Sequence, residues 1–177
     1  EDNYFERYNY AVGEASEPGS TFKLASMIAL LEDGYVDIDD SVDLELGAVE
    51  FFDKTMRDSE EHDYNNVSVK RAFEISSNVG ISKLVNQYYA HQPEKFMAHI
   101  ERMRLNRTVG IEIAGEGKPL FKAVSGWSGT TLPWMSVGYE LTMTPLQVLT
   151  LYNAVANNGK MMKPYLVSGV SENGKVV

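Results

Sequence analysis

The sequence predicts a mainly α chain, interrupted by short strands and closed by a C-terminal hairpin. Three observations carry that expectation. Thr144-Pro145-Leu146-Gln147 is a strong helix start: Thr144 can cap, Pro145 suits the first helical position, and Gln147 completes a capping box. Apolar residues recur at helical spacing from Ser20 to Asp33 and from Pro93 to Met103. Asn173-Gly174 stands between apolar stretches, the pattern of a tight hairpin turn. At 177 residues, 44% hydrophobic and 23% charged, the chain fits one domain with a real core.

In chain order, residues 1–16 read as irregular, with Gly13 and Pro18-Gly19 punctuating the approach to the first helix. That helix spans Ser20 to Asp33. Phe22, Leu24, Met27, Ile28, Leu30 and Leu31 cover more than a narrow stripe, so it is expected to be well buried, with Gly34 at its C-terminal cap. Residues 35–63 read as an acidic, loop-rich excursion with one or two short strands, Val42-Asp43-Leu44-Glu45-Leu46 among them. Ser68 caps a short helix through Ile75, and a second runs from about Val79 to Tyr89. Pro93 opens another through about Met103, with Phe96, Ile100 and Met103 on one face. Residues 105–135 lack a period and read as extended pieces and turns. The helix begun at Thr144 runs to about Asn157, and Gly159 ends it.

The net charge of −9 is local: twelve acidic and two basic residues lie between Asp33 and Asp63. No basic patch marks a nucleic-acid partner. The chain has no cysteine, which excludes disulfides and zinc-thiolate sites. Leu24 to Leu31 is too short to span a membrane, and no signal-peptide pattern is present. From its charged, abrupt opening at Glu1 the chain is expected to be a piece of a longer protein. Asp37, Asp39, Asp40, Asp43 and Glu45 fail EF-hand spacing, since Val42 and Ala48 stand where glycine and glutamate are needed; a solvated acidic loop is expected. His91 and His99 have no third ligand in view and are expected at the surface, while Trp127, Trp134 and Tyr139 are expected to pack.

The chemistry concentrates in Glu17-Pro18-Gly19-Ser20-Thr21-Phe22-Lys23. Ser20 and Lys23 lie about one helical turn apart and share a face. A serine hydroxyl needs a base to become a nucleophile, and a lysine kept neutral by burial can serve. Apolar Phe22, Leu24 and Met27 supply that burial. A serine at a helix start also lies among outward-pointing N–H groups that favour an oxyanion. Taken alone, the pair reads as readily as a capping serine and a surface lysine. Ser76-Ser77-Asn78 is a helix break filled by turn formers, or a hydroxyl that relays a proton beside an amide that holds substrate.

Together these residues resemble the active-site signature of penicillin-binding proteins and class A β-lactamases, Ser-x-x-Lys followed by Ser-x-Asn. The resemblance extends from about Asn9 to the end: Asn9-Tyr10-Ala11, Glu17 to Lys23, Ser76 to Gly80, Gly138-Tyr139 followed by Thr144-Pro145-Leu146-Gln147, and Ala156-Asn157-Asn158-Gly159 occur in family order. This is similar to the transpeptidase domain of class B penicillin-binding proteins, and Glu-Pro-Gly-Ser-Thr looks most like the septal, cell-division branch. The resemblance implies an α/β penicillin-binding-protein/β-lactamase-like transpeptidase fold, of which residues 1–177 would be a partial domain holding the helical lobe. It implies Ser20 as the acylated nucleophile, Lys23 as its general base, Ser76 as proton shuttle and Asn78 as a binder of the donor peptide backbone. The backbone N–H of Ser20 would be one oxyanion donor. Ser77 stands where class A β-lactamases carry aspartate, and neither Glu116 nor Glu140 has the context of a deacylating glutamate.

The implied activity is a serine D,D-transpeptidase acting on peptidoglycan stem peptides ending in D-Ala-D-Ala, inhibited by β-lactams, with no metal or organic cofactor. It would act at the periplasmic or outer face of the cytoplasmic membrane, anchored by a segment outside this chain, with division-complex membrane proteins among the partners the resemblance implies. The family's third motif, Lys-Thr-Gly or Lys-Ser-Gly, does not occur in these 177 residues. It is expected on a strand past Val177, and the opening strands, N-terminal module and anchor before Glu1. The isolated chain is therefore expected to acylate poorly. Alternatives are a D,D-carboxypeptidase or β-lactamase on the same scaffold, a β-lactam-sensing receptor domain, or a non-catalytic binding lobe.

Overall fold

The computed structural model describes residues 7–63, 65–173 and 175–176. Its helices are α1 (Tyr10–Gly13), α2 (Lys23–Glu32), α3 (Val69–Glu74), α4 (Asn78–Tyr89), α5 (Pro93–Arg102), α6 (Thr131–Ser136) and α7 (Pro145–Ala156). The strands are β1 (Ser41–Asp43), β2 (Ala48–Phe51), β3 (Lys54–Arg57), β4 (Asn66–Ser68), β5 (Leu120–Phe121), β6 (Leu141–Thr142), β7 (Ser171–Glu172) and β8 (Lys175–Val176). Every described sheet is a two-stranded antiparallel pair: β1 with β4, β2 with β3, β5 with β6, and β7 with β8. Isolated ribbons of this kind are marginal in water, so helix packing carries the fold.

Helix α4 packs against α6, α3, α5 and α2, and the buried Lys23 lies on α2. Ala25, Ala29 and Leu30 of α2 are fully buried and lie against α4 and α5, which contribute Ile81, Val85, Phe96 and Ile100. Small residues along α2 let the neighbouring helices approach closely, and each fully buried Leu, Ile or Phe contributes about 1.5–3 kcal/mol. Tyr89 is buried in the same layer. Its hydroxyl lies 2.9 Å from the Ala29 carbonyl and 2.7 Å from the Asp33 carboxylate, so its polar end is satisfied at the end of α2. Helix α2 ends as expected, with Gly34 at φ +65° and Tyr35 N–H donating to Leu30 O at 3.0 Å.

Most sequence-predicted boundaries hold. Ser68 caps α3 by accepting from Arg71 N–H at 3.1 Å. Thr144 and Gln147 form the full capping box of α7, and Gly159 N–H closes its end on Ala154 O at 2.8 Å. The C-terminal hairpin forms as β7 and β8, although Gly174 of its turn lies outside the described residues.

Five expectations change. The segment before Pro18, read as irregular, contains the single turn α1. Residues 35–63 hold three strands, and Val42 to Leu46 does not continue as a strand because Leu46 turns at φ +54° after β1. Residues 105–135 include α6, whose six residues are too few to show a period; Pro133 falls in its first turn, where a missing N–H costs least. His99 is buried rather than at the surface: its Nε2 is 2.9 Å from Asp33 and its Nδ1 3.3 Å from Glu32. Trp127 and Trp134 pack against the core, but Tyr139 is exposed.

Hydrogen bonds between residues 16–19 and 138–143 tie two distant segments together ahead of α2. Gly19 N–H donates to Gly138 O at 3.0 Å, Ser16 and Met143 exchange backbone hydrogen bonds at 3.1 and 2.9 Å, and Glu140 N–H donates to the Glu17 carboxylate at 2.9 Å. Gly138 has φ +91°, and a Cβ there would sit 2.0 Å from the Gly19 carbonyl oxygen. Gly138→Ala is expected to destabilise the protein by more than about 2 kcal/mol in urea unfolding. Gly159→Ala, at φ +80° in open space, should lose only about 1 kcal/mol. Equal losses would show that the close approach to Gly19 carries no energy.

Candidate active site

Ser20 lies in a 3-10 turn, Gly19–Phe22, that runs directly into α2 at Lys23. The expected α-helical first turn is thus wound more tightly. Three residues per turn eclipse positions i and i+3, which stacks Lys23 on Ser20 more directly than an α-helix would. Ser20 is exposed, and Thr21 holds the turn by donating to Pro18 O at 2.8 Å.

Lys23 is 1% exposed. Its ammonium has three hydrogens, and three acceptors meet it: Ser20 Oγ at 3.1 Å, Ser76 Oγ at 2.9 Å and Ser76 O at 2.5 Å. Burial pulls its pKa from 10.5 down to about 8, against the attraction of the Asp58 carboxylate, which raises it. At pH 7 roughly a tenth of the amine is therefore neutral.

Ser76 reaches Lys23 because the chain reverses between α3 and α4. Its N–H closes on Phe73 O at 3.0 Å and that of Ser77 on Ala72 O at 2.9 Å, with Ser76 at φ +57°. A non-glycine residue held there costs on the order of 1 kcal/mol or more. The conformation aims both the hydroxyl and the carbonyl of Ser76 at the Lys23 amine. Asn78 opens α4 and is largely buried, with Nδ2 donating to Arg57 O at 2.8 Å at the end of β3. Ser20, Lys23 and Ser76 are thus brought together by direct hydrogen bonds, and Asn78 stands two residues from Ser76 at the α4 N-terminus.

Two residues beside this group receive no role from the sequence. Ser77 is the α4 N-cap, accepting from Gly80 N–H at 2.9 Å. It also donates to Asp58, whose two oxygens lie 3.0 and 2.9 Å away. Asp58 belongs to the segment read as an acidic, loop-rich excursion, and its side chain is only 4% exposed. Its nineteen-residue separation from Ser77 matches no motif, so only the fold reveals it.

The chemistry open to this arrangement is proton transfer between two hydroxyls through one buried amine. When Lys23 loses its proton, the Ser76 carbonyl can still only accept. One hydroxyl must then reverse and donate to Nζ, and an exposed Ser20 hydroxyl bonded that way is an activated nucleophile.

Residues 1–176 match the penicillin binding protein transpeptidase domain. The chain is 30% identical over 159 residues to penicillin-binding protein PbpB of Mycobacterium tuberculosis, covering 90% of this chain and 23% of that protein. It is 26% identical over 154 residues to the peptidoglycan D,D-transpeptidase FtsI of Escherichia coli, covering 85% and 24%. The chain thus spans about a quarter of the length of these relatives. The fold superposes on penicillin binding protein 3 of M. tuberculosis, crystallised with aztreonam, at a TM-score of 0.84 and 28% identity, over 96% of this chain and 37% of that one.

The depressed Lys23 pKa links stability to pH. Between about pH 8 and 10.5 the unfolded lysine holds its proton while the folded one has released it. The unfolded state then binds more protons, so stability rises with pH across that window. Lys23→Met should remove this component, worth up to about 3 kcal/mol. Urea unfolding at pH 7.5 and pH 10 measures it as the difference between the two proteins' pH responses, and identical responses would place the Lys23 pKa at its ordinary value.

Proposed function

The chain belongs to the penicillin-binding protein transpeptidase family, and we propose that its protein is a serine D,D-transpeptidase of peptidoglycan, with Ser20 as nucleophile, Lys23 as general base, Ser76 as proton shuttle and Asn78 as a contact for the donor stem. The observation that carries this reading is the buried Lys23 amine held between the hydroxyls of Ser20 and Ser76. Neutral Lys23 takes the Ser20 proton as Oγ attacks the carbonyl of the penultimate D-alanine of a stem peptide. The C–N bond to the terminal D-alanine breaks, and the leaving amine takes a proton from Ser76, which Lys23 replenishes. The acyl group, now an ester of Ser20, passes to an amine of a neighbouring stem, and Ser20 recovers its proton.

A β-lactam follows the first half of the same path. Ring opening breaks the amide and leaves an acyl ester on Ser20, with the amine still tethered to the adduct. The crystallisation of M. tuberculosis penicillin binding protein 3 with aztreonam and with ampicillin supports this inhibitor class. Action on the outer side of the cytoplasmic membrane follows from the peptidoglycan substrate. The Glu17-Pro18-Gly19-Ser20-Thr21 sequence supports a septal role beside division-complex membrane proteins.

Intact-mass measurement after incubation of the full-length protein with benzylpenicillin is expected to show one adduct, absent from Ser20→Ala. Lys23→Ala should slow its formation by about 10²–10⁴-fold with unchanged circular dichroism; retained labelling at neutral pH would remove Lys23 from the mechanism. The acylation rate should climb from pH 6 and level off above about pH 8, where Lys23 has lost its proton. A flat profile over that range would exclude a titrating base. With stem peptides, cross-linked dimers identify transfer, while hydrolysed monomers identify a carboxypeptidase.

A further inference from the structure

The carboxylate of Asp58 sits where the Ser76 turn meets α4, and it holds that junction by several contacts at once. Its Oδ1 accepts from Val79 N–H at 2.9 Å and lies 3.0 Å from Ser77 Oγ; its Oδ2 lies 2.9 Å from Ser77 Oγ and 2.7 Å from His62 Nε2. Ser77 Oγ passes the contact on by accepting from Gly80 N–H. Asp58 is itself anchored, since its N–H donates to Gly47 O at 2.9 Å, and the adjoining Arg57 carbonyl receives Asn78. The end of β3 thus grips three consecutive residues, Ser77, Asn78 and Val79, immediately after Ser76. A carboxylate bonded to free N–H groups at a helix N-terminus gains both charge-assisted hydrogen bonds and the helix dipole.

Lys23 takes two of its three acceptors from Ser76, which sits in a left-handed conformation uncommon for a residue other than glycine. Whatever fixes Ser77 to Val79 therefore fixes the position of Ser76 against Lys23. We propose that Asp58 is a positioning residue for the reaction, clamping the α4 N-terminus so that Ser76 stays on Lys23 and holding Lys23 electrostatically within its working range. This rests on the Ser20 acyl-enzyme reading. The charge effect has the sign the site requires: burial alone would drive the Lys23 pKa lower, and the Asp58 carboxylate opposes it. The titratable and charged residues His62, Arg71, Glu60, Glu61, Asp63 and Glu74 line a cavity of about 670 Å³ beside Ser76 with Asp58, and Arg57 adjoins it.

The test is the pH profile of benzylpenicillin acylation, followed by intact mass on the full-length protein and its Asp58→Asn and Ser77→Ala variants. Asp58→Asn removes the charge and weakens the clamp. Its plateau rate should fall at least about tenfold, because small misplacements of reacting groups cost that much, and its midpoint should move below about pH 8. Ser77→Ala weakens the clamp but keeps the charge, so its plateau should fall with the midpoint unmoved. A wild-type plateau in Asp58→Asn overturns the inference. So does a reduced plateau with an unshifted midpoint, which would leave Asp58 as a structural support only. If Asp58→Asn does not fold, Ser77→Ala decides: a plateau equal to that of the unsubstituted protein overturns the clamp. No adduct on the unsubstituted protein would instead overturn the acyl-enzyme reading itself, and this inference with it.

Discussion

The burial of the Lys23 amine organises the rest of the site. A charged lysine in a nearly water-free position is costly unless every hydrogen finds an acceptor, and here three acceptors come from two separated stretches of chain. That requirement couples the 3-10 turn at Ser20 to the left-handed turn at Ser76. It also explains the chemistry available. The cost of burial is what lowers the pKa to about 8, and one acceptor is a carbonyl that cannot donate. Loss of the proton must therefore recruit a hydroxyl as donor, and the exposed one is Ser20.

Around that amine the fold acts as a vice. Helix α2 presents Ala25, Ala29 and Leu30 to α4 and α5, so the two helices that carry Lys23 and Asn78 are locked by close packing. Segments distant in sequence then set the approach angles. The loop after α6 holds Gly19 through Gly138, and the end of β3 holds Ser77 to Val79 through Arg57 and Asp58. None of these supports is long or apolar. They are hydrogen bonds to backbone groups and one carboxylate, directional contacts that fix position.

A family resemblance and a physical site thus converge on one group of side chains from independent directions. Residue order identifies the family. Burial, hydrogen-bond saturation and the tight 3-10 pitch account for how a serine and a lysine three residues apart come into direct hydrogen-bond contact.

Much of this was legible in the sequence because it is local. Helix starts at Ser68, Pro93 and Thr144 depend on residues within one turn of each other, and so does the Ser20–Lys23 spacing. Apolar neighbours of Lys23 were enough to anticipate its burial. What the sequence could not carry depends on contacts between distant segments. Short α6 has too few residues for a period, and His99 reads as polar until Asp33 is brought beside it. Asp58 is one acidic residue among twelve in its stretch until folding buries its side chain against Ser77. The sequence by itself determined the longer helices, the family and the spacing of Ser20 and Lys23. The tertiary structure alone decided which carboxylate and which turn gather around that pair, because a hydrogen bond across nineteen or fifty-three residues leaves no periodic trace in the chain that makes it.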